Sequence, residues 1–412
     1  MNPGRPAPTG LPPRIGLIGA GAIAAAHLDA WQALGAECVI SSRTRPTALA
    51  ERFGAEIAED ADALIDRVDI VGILAPTPTH LDLALRAIAR GRHVVCEKPL
   101  ALTSAEAQRL ADAADAAGVR LLPAHVVRYF AAYRRIQQAV VAGGIGALQT
   151  LRLSRAGAGP TTAWFYDESA GGGLIRDLLI HDIDQALWLA GPVISVSARQ
   201  DPPSIDGRLS APVTATVELT HANGVTSRID GGWMGEGVPF RTTIEAVGTA
   251  GALAHDSTAE AGGAARASSL DTDPGYLPPL TEDHPYRAQI ADFAEAIRTG
   301  RPALVTPADG VAAVAVVDAA YASLAAGGAI VPVPRTSAPD SAPARSSFFP
   351  SPNFFMISSD PPNGRVPRPA QKPGPRKQDV QWGGFPISVE GMAITPSGPT
   401  RAAAPRKSRC PR

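Results

Sequence analysis

Residues 14–24 read Arg14-Ile15-Gly16-Leu17-Ile18-Gly19-Ala20-Gly21-Ala22-Ile23-Ala24. The first five form a short apolar run of the kind that fills a strand covered on both faces. The next six match G-x-G-x-x-A. In such a turn Gly19 permits the sharp reversal, Gly21 lets a pyrophosphate approach the backbone, and Ala24 keeps the following helix close to the strand. Ala22 and Ile23 open that helix, whose first N–H groups then face the phosphates. In a chain with 40 glycines the motif alone is a weak signal. Its place between a strand and a helix gives it weight and predicts a dinucleotide site.

Working outward, short buried runs at 38–41, 69–74, 93–96 and 120–122 alternate with Ala/Leu-rich helical segments at 22–34, 46–53, 79–90 and 104–117. Thr103-Ser104-Ala105-Glu106 is a capping-box signature at the head of the last helix. Alternating βα units imply a parallel sheet with helices on both faces, here a Rossmann domain over 14–123. The pattern then changes. Runs at 147–154, 193–200, 213–221, 225–233 and 242–247 alternate apolar and polar residues, as half-buried antiparallel strands do, and Asn223-Gly224 marks a hairpin between two of them. With helices at 286–299 and 309–326 they predict a second, α+β domain over 124–333 with an open, mainly antiparallel sheet. The fold class is therefore α/β followed by α+β.

Outside these domains, residues 1–13 are rich in Pro and Gly and lack the apolar core of a signal peptide. In residues 334–412 Pro, Ser and Arg dominate, basic residues outnumber acidic ones about three to one and no periodicity survives, so a disordered tail is expected. The apolar stretch 310–333 is interrupted by Asp318 and Gly327-Gly328, which suits a buried helix plus strand better than a membrane span. A formal net charge of −1 argues against a nucleic-acid or membrane partner. The three cysteines, Cys38, Cys96 and Cys410, have neither metal nor disulfide spacing. A cytoplasmic location and no metal site are the expectations.

An NAD site usually carries Asp or Glu at the end of the second strand, to bind the ribose 2′-hydroxyl. That position reads Ile40-Ser41-Ser42-Arg43, with no carboxylate. Ser42 and Arg43 suit the 2′-phosphate of NADP, which is favoured over NAD; the alternative is that Arg43 faces solvent or stacks on the adenine of either cofactor. Two segments can carry chemistry. Glu97-Lys98-Pro99 follows the 93–96 strand at the sheet's carboxyl end, where Lys98 could stabilise a developing oxyanion. Asp177, His181 and Asp184 are spaced i, i+4 and i+7, which would place them on one helical face behind Gly171-Gly172-Gly173. His181 could act as a general base oriented by a carboxylate, with the three glycines leaving room for a ligand. A capped surface helix with an incidental histidine is the alternative, and a metal site is disfavoured because such ligands converge poorly on one ion.

These segments, with His27 and Ala75-Pro76-Thr77-Pro78-Thr79-His80, resemble the Gfo/Idh/MocA oxidoreductases, relatives of glucose–fructose oxidoreductase and inositol dehydrogenase, over about residues 14–333. The resemblance implies catalytic roles for Lys98, Asp177 and His181. It implies cofactor contacts from Pro76, Thr77, His80, Glu97 and Lys98. Arg128 and Tyr129 would line the substrate cleft, with Trp164 and Asp184 also facing the substrate. Leu179 stands where many members carry Gly or Ala, and so would alter the cleft floor. The implied reaction is NAD(P)-dependent hydride transfer to or from a secondary alcohol of a sugar, inositol or related polyol, in a dimer or tetramer joined through the second sheet. Glycosidic cleavage through NAD-dependent transient oxidation, or non-catalytic nucleotide sensing, are the other activities this fold supports.

Overall fold

The protein is described from a computed structural model, covering residues 13–260 and 284–334. The expectations for residues 1–12 and for the tail beyond 334 lie outside the described residues.

Sheet A is built from β1 (Arg14–Ile18), β2 (Glu37–Ser41), β3 (Glu56–Ile57), β4 (Ile70–Ile73), β5 (His93–Glu97) and β6 (Leu121–Ala124), all parallel, in the order β3-β2-β1-β4-β5-β6. Strand order reverses between β1 and β4, and that reversal opens a crevice at their carboxyl ends. The interleaved helices are α1 (Ala24–Gln32), α2 (Thr47–Phe53), α3 (Ala61–Ile65), α4 (His80–Ala89) and α5 (Ser104–Ala117). Every residue of β4 is buried, as a strand covered by helices on both faces must be. The capping box forms as the sequence suggests: Glu106 N donates to Thr103 Oγ1 and Thr103 N to Glu106 Oε2, both at 3.2 Å. Two pieces were not legible in the sequence, β3 and α3, because two and five residues are too short to show a period. The predicted helix start at 79 is also revised: residues Thr77–Thr79 form one tight 3₁₀ turn and α4 begins at His80.

The chain continues through α6 (Ala131–Val141), β7 (Leu148–Gly157), α7 (Ile180–Ala190), β8 (Val193–Asp201), β9 (Val213–His221), β10 (Thr226–Trp233), β11 (Arg241–Gly248), β12 (Gly251–Asp256) and α8 (Ser257–Glu260). After the undescribed segment come α9 (Pro285–Thr299), α10 (Pro307–Ala325) and β13 (Val331–Pro332). Sheet B runs β12-β11-β7-β10-β9-β8-β13, antiparallel throughout except for the β7–β10 pair. Burial in β9 alternates residue by residue, so one face meets the helices and the other is open. The apolar stretch 310–333 becomes α10 and β13, and α10 packs against α5, α7 and β8. The element α9 returns to lie on α1, tied by a bidentate ion pair from Arg287 Nε and Nη2 to Asp29 (2.7 and 3.0 Å).

Leu179 is fully buried, and its isobutyl group fills the space opposite Gly231 on β10. It therefore belongs to the core and not to a cleft floor. A Cβ at Gly231 would collide with Leu179 Cδ2 and lie 2.7 Å from the Arg155 carbonyl oxygen. Gly231→Ala should lower stability by about 1–3 kcal/mol, the usual cost of overpacking. Gly231→Ala combined with Leu179→Ala should be no more stable than Gly231→Ala alone, because the collision with the Arg155 carbonyl remains and a buried isobutyl group is lost. Chemical denaturation of both variants measures the two effects.

Candidate active site

The turn after β1 has the shape of a phosphate cradle. Gly19 adopts φ +114°, and a Cβ there would sit 2.6 Å from Leu74 C and 2.7 Å from Leu74 O, so the backbone just after β4 leaves room only for glycine. Its N–H donates to Ser41 O at 2.8 Å, tying the turn to the end of β2. Gly21 is exposed, and an added Cβ would meet no protein atom within 4 Å. Ala22 and Ile23 are half-buried behind it, and α1 begins with neither a capping side chain nor an acid in its first turn. Orphan helix N–H groups facing open space fit the pyrophosphate of a dinucleotide. At the end of β2, Ser42 is half-buried and Arg43 is exposed, with no protein partner among the described residues.

Two loops flank the crevice. After β4, Pro76 is half-buried and Thr77 buried. His80 is buried between them and the loop after β5: Nδ1 lies 2.9 Å from Pro99 O and Nε2 2.8 Å from Ala75 O. Expected to touch the cofactor, His80 instead ties together the two loops that would. Burial pushes its pKa down against the pull of these carbonyls. After β5, Glu97 is buried, with Oε1 3.0 Å from His27 Nε2 and Oε2 accepting from Lys98 N at 3.1 Å. His27 in turn meets the Tyr286 ring edge-on, at 5.1 Å between centroids. The direction of Lys98 is thus set by residues of β5, α1 and α9.

Lys98 Nζ reaches the second domain. It donates to Asp177 Oδ1 and to the Asp177 carbonyl oxygen, both at 2.8 Å. Residues Ile175–Leu179 form a single π-helical turn leading into α7, a wider turn that often marks functional positions. Of the residues expected on one face, Asp177 pairs with Lys98 and Asp184 with Arg128. Asp177, expected to orient His181, holds Lys98. His181 is buried, and its pKa lies well below the ordinary histidine value because of burial and then the charges of Lys98, Arg155 and His125. A neutral imidazole beside a lysine ammonium can accept a proton from an alcohol whose oxygen that ammonium stabilises.

The structure takes three residues out of the cleft-lining set. Arg128 is buried, with Nε and Nη2 clamped on Asp184 (2.7–3.1 Å), Nη2 also 3.2 Å from Asp309 Oδ1, and Nη1 on Leu304 O. Tyr129 is buried and donates its hydroxyl to Asp292 Oδ2 at 2.7 Å. Asp184 is committed to Arg128. Trp164 remains half-exposed, stacked on Phe165 at 4.0 Å between centroids. The three glycines ahead of Asp177 also serve the protein and not a ligand. Side chains there would strike Leu102 and Pro78, the carbonyls of Trp164 and Phe165, and the Tyr321 hydroxyl. They let the 171–173 segment press between the cofactor-side loop and the Trp164 turn. No cluster of metal ligands occurs among the described residues. His125 opens the 125–130 stretch that the family resemblance sets along the substrate cleft, and it is buried beside the site.

Comparison with known proteins agrees with this geometry. Residues 13–125 match the model of the oxidoreductase family with an NAD-binding Rossmann fold, Gfo/Idh/MocA, and residues 133–254 match the Gfo/Idh/MocA C-terminal domain. Inositol 2-dehydrogenase of Ralstonia nicotianae is 36% identical over 188 residues, 43% of this chain, so the chain spans about half (54%) of that relative's length. Myo-inositol 2-dehydrogenase of Thermotoga maritima is 27% identical over 309 residues, 72% of this chain and 92% of that protein. Among solved structures, GenD2 from gentamicin A biosynthesis, in complex with NAD, is 28% identical with a TM-score of 0.71, over 80% of this chain and 99% of that one.

The buried histidines have a consequence for stability. His80, His125 and His181 all have folded pKa values below the ordinary one, burial being the first cause in each. The unfolded chain therefore binds more protons below pH ~6.5. Their contribution is fully present above that pH and is lost as pH falls toward the folded values, by up to about 1.4 kcal/mol per pH unit for each histidine. Urea midpoints measured from pH 8 to pH 5 should fall steeply below ~6.5, and a flat profile would contradict the burial.

Proposed function

Because the chain belongs to the Gfo/Idh/MocA oxidoreductases, whose two domain models together match more than half of it, we propose that it moves a hydride between a nicotinamide dinucleotide and a secondary alcohol or carbonyl of a sugar, inositol or related polyol. The observation that carries this reading is the Lys98–Asp177 contact at 2.8 Å, which joins the carboxyl edge of sheet A to the turn that leads into α7 and His181. Gly19, Gly21, Ala22 and Ile23 hold the pyrophosphate, Ser42 and Arg43 the adenosine ribose, and Pro76, Thr77 and Glu97 border the nicotinamide. The bound nicotinamide supplies the hydride acceptor or donor. In the oxidative direction His181 takes the hydroxyl proton, Lys98 Nζ donates to the same oxygen, and Asp177 holds Lys98 in place. In reduction His181 returns the proton. Trp164 offers an aromatic face to the sugar ring. The outer face of sheet B, with its cross-strand Arg228–Glu218 pair and the exposed Ile194, supports assembly of copies through that sheet.

Lys98→Met should lower turnover about 100-fold or more, the scale of losing one oxyanion donor, while cofactor affinity stays near wild type. Screening sugars, inositols and sugar acids by reduced-cofactor absorbance finds the substrate on which to measure it, and near-full turnover in the variant would remove Lys98 from the chemistry.

The cofactor reading within this proposal is NADP over NAD. No carboxylate stands at the end of β2 to repel a 2′-phosphate, and the exposed Arg43 can pair with one through a charge-assisted bond. Such a bond contributes about 1.5–3 kcal/mol, or roughly ten- to a hundredfold in preference. Wild type should have the higher kcat/KM with NADP, and Ser42→Asp with Arg43→Ala should invert the order. Titration of both cofactors against both proteins decides it, and a tenfold wild-type preference for NAD would place Arg43 in solvent or on the adenine.

A further inference from the structure

Strand β6 ends at Ala124, the register partner of Glu97 on β5. The next residue, His125, therefore stands beside Lys98 at the carboxyl edge of sheet A. Its side chain is 1% exposed, and neither ring nitrogen has a hydrogen-bond partner among the described residues. An imidazole removed from water with both polar atoms unused is costly, so this position calls for an explanation. The nearest carboxylate oxygen is Asp184 Oδ1, 3.8 Å from Nδ1. Asp184 is one of two carboxylates on Arg128, the other being Asp309. One guanidinium against two carboxylates, Asp184 buried and Asp309 partly exposed, leaves this cluster with one negative charge in excess. Burial works against the ionised form of Asp309, but the charge of Arg128 and the bonds from Thr306 outweigh it and hold its pKa below the usual range.

His125 faces charged groups from every side. Glu97 comes from β5, Arg128 from the turn after β6, Asp184 from α7 and Asp309 from α10. It is also within electrostatic reach of His181. Burial disfavours a proton on either histidine, but the charges that weigh on His181 are the cations Lys98 and Arg155, whereas Asp184 and Asp309 favour a proton on His125. We propose that His125 is a positioning residue that receives, through one bridging water, the proton His181 removes from the substrate, and holds it against Asp184. In that step an N–H bond of the His181 imidazolium breaks and its proton joins the water. A proton of that water forms the new N–H bond on His125. One proton moves, the water is regenerated and no electrons are exchanged. The reverse sequence resupplies His181 during reduction. This inference rests on the reading of His181 as the base.

Steady-state oxidation by the full chain, followed across pH with the substrate found by screening, tests it in three variants. His125→Ala should lower kcat about 100-fold, the low end of the range for a lost acid–base group. KM values should stay within about twofold of wild type, and added imidazole, which fits the space left, should restore turnover. Asp309→Asn keeps the helix-cap oxygen and leaves His125 in place. With one carboxylate gone, His125 holds its proton less tightly, so the acidic limb of kcat should move to lower pH. A wild-type pH profile in His125→Ala overturns the inference, as does a loss that imidazole does not restore. If that variant fails to fold, an unmoved acidic limb in Asp309→Asn overturns it alone. His181→Ala separates the two readings. Full turnover in His181→Ala removes the base itself, whereas an inactive His181→Ala beside a normal His125→Ala removes only the relay.

Discussion

The two domains meet at a lysine ammonium, Lys98 Nζ, that donates to a side-chain and a main-chain oxygen of Asp177. Much of the local architecture exists to make that meeting possible. The ammonium must leave sheet A in one direction, and Glu97 provides it by accepting from the Lys98 amide while its other oxygen meets His27. On the far side Asp177 must come close, which the three glycines at 171–173 permit by letting backbone pass against Pro78, the Trp164 turn and Tyr321. The π turn then carries the chain from Asp177 into α7 and His181. Lys98 is only 14% exposed and Asp177 18%, so the pair attracts more strongly than it would in water while remaining reachable.

Beneath this contact lie two further buried ion pairs. Arg155 on β7 clamps Asp182 (2.7 and 3.1 Å), and Arg128 clamps Asp184, so opposite sides of the start of α7 are fastened to sheet B and to the turn after β6. Such pairs add little net stability over apolar replacements, yet removing one partner costs about 3–5 kcal/mol because a charge is left uncompensated. Their effect is to specify one orientation for α7 and hence for His181. Arg155, with Lys98, sets positive charge beside His181, which suits a group that must be neutral before it accepts a proton. Position and protonation are therefore set by one set of charges.

The elements that were legible in the sequence are those governed by neighbours close along the chain. The buried run 14–18, the turn at Gly19 and Gly21, the Thr103–Glu106 cap and the alternation along β9 follow from local sterics, capping and period-two burial. Lys98 and His181 could also be named, because short motifs at a strand end and a helix start carry local geometry. The short β3 and α3 gave too few residues for any period, and β12, with little burial, lacked the alternation that marked its neighbours.

What only the tertiary structure decided is where each polar group finds its partner. Arg128, Tyr129 and Asp184 look in sequence like residues that could face a ligand, but Asp184, Asp292 and Asp309 stand 56, 163 and 181 residues from the groups they bind. Leu179 reads as an intrusion until Gly231, on a strand of the other layer, is seen to leave its space. Asp177 was assigned to His181 by helical spacing and belongs to Lys98 by packing, 79 residues away. The amino-acid order settles local conformation because torsional preference and hydrogen bonding act within a few residues. The pairing of buried charges depends on which surfaces the finished layers bring together, and no local pattern contains that information.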